Sequence, residues 1–198
     1  MRPDNPMRKF DPVKLAHYEK ENYFAYYQKD WLKLLRVSIG LVKDSFGLSL
    51  WQAMYAAYLV ARAEIAFEPF PENDIPKAET YMRRFYQFIK YIHREDFDVT
   101  RAAALEVNWW SVHRKLFGNA ENRELVETLK NLYAEAYHVE PEKVEEAASL
   151  RAKGMLYSDW WVNAGKPKDS PLLAQEEEAL YNSYTALKQA IAGDIQCI

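Results

Sequence analysis

Residues 50–67 read LWQAMYAAYLVARAEIAF. This stretch is apolar around most of a helical circumference, which predicts a helix at the centre of a bundle rather than a surface one. Its start is marked by Ser49, with Gln52 three positions on, the pairing of a capping box. Arg62 and Glu64 interrupt the apolar surface and point to different sides. Charges in a core have to be paired or hydrogen-bonded, so partners are expected for them from two different neighbouring helices, or exposure near the helix end.

Working outward, Asp11 before Pro12 and Ser170 before Pro171 mark two more helix starts, and Gly47, Gly118 and Gly165 suit helix stops. The predicted order is a helix over about 12–46, bent or broken near 28–30, then about 50–67, 76–93, 100–117, 121–138, 141–164 and 171–192. No segment reads as a strand. The connections at 69–76 and 165–170 are too short to divide the chain. The expected fold is therefore all-α: a single-domain bundle of about six to eight helices over 1–198, with a short flexible N-terminal tail and a frayed C-terminus.

Composition narrows the function classes. The chain has 26 basic and 29 acidic residues, a formal charge of −3 and no sustained basic stripe, which argues against nucleic acid. No run reaches 18 uncharged apolar residues and the first residues lack a secretory apolar stretch, so no membrane partner and a cytoplasmic location are expected. The one cysteine, Cys197, is penultimate and reads as a tail residue. No glycine-rich phosphate loop and no Gly-x-Ser-x-Gly elbow is present.

Two segments put polar groups on apolar faces. In 100–118, Ala103, Glu106, Trp110, His113 and Phe117 follow three-four spacing, which directs Glu106 and His113 inward, two turns or about 10 Å apart. In 145–165, Asp159 interrupts the stripe of Ala148, Ala152, Met155 and Val162. Glu106-x6-His113 resembles the Glu-x6-His element of heme-oxygenase-like di-iron proteins, whose helical bundles hold two metals for oxidative chemistry. The resemblance covers these eight residues. It implies a further carboxylate, for which Glu64 stands, and a later Asp/Glu-x3-His element, which no later segment supplies. Glu64, Glu106, His113 and Asp159 are thus the candidate metal shell, for Fe or Mn. The structural alternative is an Asp159 pair with Arg62 or Arg151 and a satisfied histidine. Glu135-Ala-Tyr-His138 has the Glu-x-x-His spacing of ferritin-like metal helices, but only once and toward a polar side.

The chain is also rich in large aromatics, with 6 Trp, 14 Tyr and 9 Phe. Tyr23, Phe24, Tyr26, Tyr27 and Trp31 surround the first helix too broadly for one core stripe. Such an excess fits a homodimer or protein-partner interface, or a small organic ligand. Two functional expectations follow. One is a metal-dependent, di-iron-like oxidoreductase acting on an organic substrate, with Arg62 orienting the substrate and Trp110 shaping its pocket. The other is non-enzymatic small-molecule binding, or an aromatic-rich protein-interaction subunit.

Overall fold

Short polar side chains start most of the helices in the computed structural model, which describes residues 5–192. Asp11 accepts from the Val13 amide to open α1 (Pro12–Gln28). Asp30 accepts from Lys33 at the head of α2 (Trp31–Phe46). Ser49 and Gln52 form the reciprocal capping box of α3 (Leu50–Phe67). Asp74 and Asp98 accept from first-turn amides of α4 (Ile75–His93) and α5 (Val99–Lys115). After α6 (Arg123–Tyr137), a 3₁₀ turn at Pro141–Val144 leads into α7 (Glu145–Asn163), and Ser170 precedes α8 (Pro171–Ala192). Each cap satisfies amides that a first turn otherwise leaves without partners. Among the described residues there is no strand, and the expected all-α bundle is present with eight helices.

The break expected near 28–30 falls at Lys29, which adopts a left-handed conformation with φ 60°. Its amide and that of Asp30 bond back to Tyr26 and Ala25 carbonyls, so the chain turns and α2 packs on α1. Each helix packs against its chain neighbours, and α1 closes the ring against α8. The α3–α4 pair is antiparallel, since Tyr55 meets Phe88 and Arg62 meets Tyr81.

One expectation is corrected. The helix at 50–67 is not enclosed on all sides. Its small residues Ala53, Ala56, Ala57, Ala63 and Ala66, with Leu59 and Phe67, are buried against the bundle. Leu50, Trp51, Met54, Tyr55, Tyr58 and Ile65 are exposed on the other side. Alanine lets neighbouring backbones approach closely, so the small face packs tightly and the large apolar face is left outside. Arg62 belongs to the open side as well, over the rings of Tyr81 at 5.0 Å and Tyr58 at 6.0 Å. Its charge is not a core charge.

Cys197 lies outside the described residues. Among the described residues, no helix is long and apolar enough to cross a membrane.

Candidate functional site

The ring of helices encloses a polar network that links six of them. Glu19, on the face of α1 that also carries Leu15 and Ala16, is buried. Arg151 of α7 donates to its Oε1 through Nε and Nη2, both at 3.0 Å, and through Nη1 to Tyr133 Oη of α6 at 3.3 Å. Tyr184 of α8 donates to the other Glu19 oxygen. The Arg151 guanidinium also lies 5.2 Å from the Trp109 ring centroid, a cation–π contact. Trp109 Nε1 donates to Glu106 Oε1 at 2.9 Å, and Tyr86 of α4 donates to Glu106 Oε2 at 2.6 Å. Burial and the adjacent carboxylates push the Tyr86 and Tyr184 hydroxyls well above the usual phenol range, so both stay protonated as donors. A buried ion pair satisfied on all sides costs less than the same charges apart, and it fixes the relative placement of the helices that supply it.

The residues singled out from the sequence are placed as follows. His113 and Asp159 come together: the ring Nε2 is 3.1 Å from both carboxylate oxygens. Asp159 also accepts from the Gly118 amide at 2.9 Å, which locks the turn after α5 onto α7. The partner of Asp159 is thus the histidine, while Arg151 serves Glu19. Glu106 has each oxygen on a ring donor, Trp109 or Tyr86. Trp110 packs edge-on against Phe67 at 5.5 Å. Glu64 falls between the buried Ala53 and Ala57 in helical angle, yet it is exposed. Crowding by protein atoms, with repulsion from Glu106 added, lifts its carboxyl to about 7. Arg62 sits across α3 from Glu64, apart from the other four residues. Among the described residues, no group of three or more His, Cys, Asp or Glu side chains is arranged to hold a metal ion. Glu135 accepts from the Asp98 amide at 2.8 Å and pairs with Arg101, and His138 caps α6 with φ 50°.

Glu19, Arg151, Tyr184, Tyr86 and Glu176 complete the interior, and sequence reasoning singled out none of them as a site residue. Glu176 is 1% exposed and its Oε2 has no hydrogen-bond partner, nor does the neighbouring Ser158 hydroxyl. Burial, reinforced by Glu19, pushes the Glu176 carboxyl up to about 9, so it is neutral at physiological pH.

Aromatic clusters fill the rest. Trp161 is fully buried between Phe24, stacked at 5.6 Å, and Tyr27, edge-on at 6.1 Å. Its Nε1 donates to the Pro167 carbonyl, and Trp160 Nε1 donates to that of Gly118. These side chains seal the end of α7. A groove of about 450 Å³ runs past Lys20, Phe24, Lys33 and Ser170. Its two α1–α2 lysines are already paired, Lys20 with Glu21 and Glu177, Lys33 with Glu21. It therefore offers an anion little uncompensated charge.

The outer face of α3 differs in kind. Trp51, Met54, Tyr55, Tyr58 and Ile65, with Ala61 and Arg62 between them, recur at three-four spacing and form one continuous stripe over four turns. Phe88 flanks it from α4, and Tyr91 of that helix is exposed. Comparison of the chain with protein-family models, with characterised proteins and with solved structures finds no match.

Proposed function

We propose that this chain is a protein-interaction subunit that docks through the outer face of α3. The observation that carries the reading is the inversion of that helix: small side chains inward, large apolar ones outward, at 42–77% exposure for Leu50, Trp51, Met54, Tyr55, Tyr58 and Ile65. Scattered surface hydrophobes are ordinary, but a continuous aromatic stripe is the composition of an interface core. The Glu19–Arg151–Glu106 network reaches Tyr86 of α4, the helix on which α3 packs, and so ties the support of that face into the bundle. The test is a photo-crosslinking side chain at Tyr58 in cells that express the protein, with Lys153 on the exposed side of α7 as the control position. A discrete protein adduct at Tyr58 and none at Lys153 is expected. No adduct at Tyr58 overturns the reading.

A second reading is kept for the interior. Glu64 and Glu106 repel each other, and a bound cation would relieve that repulsion. Fe or Mn held among Glu64, Glu106, His113 and Asp159 for oxidation of an organic substrate would require Glu106 to give up a ring donor and Asp159 to loosen from His113 and Gly118. Metal analysis of protein purified without chelator tests it. Fe or Mn that is lost on Glu106→Ala supports the enzyme, and metal-free protein after reconstitution removes it.

A further inference from the structure

We infer that the occupant of the α3 face is a second copy of this chain, packed antiparallel about a two-fold axis near Tyr58; this rests on the reading of that face as a docking surface. Three observations select this partner and geometry. The first is area. At about 150–250 Å² per large side chain, exposures of 42–77% over six residues leave roughly 500–850 Å² of apolar surface. The largest patch on a typical monomer is about 300–600 Å², and a stable interface takes about 800 Å² from each partner. At about 65% apolar, such a half-interface needs on the order of 520 Å² of apolar surface, which one α3 face supplies.

The second is shape. The stripe is bulky in its N-terminal half, with Trp51, Met54 and Tyr55, and lighter in its C-terminal half, with Ala61, Arg62 and Ile65. An axis near Tyr58 sets Trp51 against Ile65 of the other copy, Tyr55 against Ala61, and Met54 against the aliphatic stem of Arg62. Either side of the Tyr58 pair the bulkier half of one stripe meets the lighter half of the other, as an interdigitated core requires. Parallel pairing would set Trp51 against Trp51.

The third is charge. Arg62 is the one charged residue inside the stripe between Trp51 and Ile65, and it is already held by Tyr58 and Tyr81. In the antiparallel arrangement the two Arg62 residues lie four positions either side of the axis, about 12 Å apart at 1.5 Å per residue. That exceeds the screening length of about 8 Å at physiological salt. In a parallel pair they would face each other directly.

The experiment combines mass with register. Cys197→Ser is used as background, so that each introduced cysteine is the sole thiol. Light scattering of the purified full chain at micromolar concentration is expected to give twice the monomer mass. Tyr58→Cys is expected to form a disulfide with its own copy, Ile65→Cys is not, and a mixture of Trp51→Cys with Ile65→Cys is expected to give the mixed disulfide. Tyr58→Asp is expected to weaken self-association by about tenfold or more with an unchanged circular-dichroism spectrum. A monomer that gives no Tyr58→Cys disulfide overturns the self-pairing, and a Tyr58 photo-adduct with a different protein would then leave the docking reading standing. A dimer unaffected by Tyr58→Asp places the interface elsewhere and overturns the inference. Self-linkage through Ile65→Cys without linkage through Tyr58→Cys overturns the antiparallel register.

Discussion

Glu176 is the residue at which the interior is least balanced. It shares the interior with the carboxylates of Glu19 and Asp159, and Lys20 offsets them only in part. Its folded-state value of about 9 stands above the ordinary 4.5 of a free carboxyl. Stability from a raised group is fully present below the unfolded value and is lost as pH rises through the folded one. The window here runs from about 4.5 to 9. Glu176→Gln is therefore expected to raise stability at pH 7 by on the order of 1–3 kcal/mol and to flatten the stability profile across that window. Urea unfolding at a series of pH values checks both, and a destabilised variant would mean that the carboxylate is ionised and paired. Glu64, with its value near 7, loses its contribution over a lower and narrower range, and its exposure makes the effect small. Glu176 was hard to see in the sequence because it sits in Gln175-Glu-Glu-Glu178, where only the helical register, continued through Leu180, Tyr184 and Leu187, turns the second of the four inward. Asp159 and His113 were legible because each interrupts an apolar stripe. That they satisfy each other could not be read from two separate helices.

At the scale of elements, helix starts were legible because caps are local. Asp11, Ser49 and Ser170 need only the next few amides to do their work, and Lys29–Asp30 breaks the first long segment within the expected positions. The orientation of α3 was not legible. A helix that is apolar on both faces has no periodic signal to say which one packs, and here side-chain volume decides. This makes an asymmetric prediction. Ala63→Leu, at a fully buried position, is expected to cost about 1–3 kcal/mol by overpacking. Tyr58→Gln on the outer face is expected to change monomer stability by no more than about 0.5 kcal/mol. Melts of the two variants at a dilution where the wild-type chain is monomeric compare them directly, and the reverse ranking would mean that α3 is rotated.

At the scale of the molecule, the chain closes a ring in which α1 packs on α8, and a short N-terminal strap fastens the end of it. Met7 and Phe10 are buried, and Arg8 donates to the Tyr137 carbonyl at 2.6 Å and to that of Ile191, tying the ends of α6 and α8 together. The Glu19–Arg151–Tyr184 network does the same for α1, α7 and α8 from within. The ring is thus held at its core and at its end, while the large apolar face of α3 is left exposed. The most direct test is denaturant unfolding of a triple variant, Trp51→Gln, Met54→Gln and Tyr58→Gln, at a dilution where the wild-type chain is monomeric. If the large face of α3 points outward, the three changes together cost no more than about 1.5 kcal/mol. A loss of more than about 4 kcal/mol, the scale of truncating packed core side chains, would place that face inside the bundle and contradict the account.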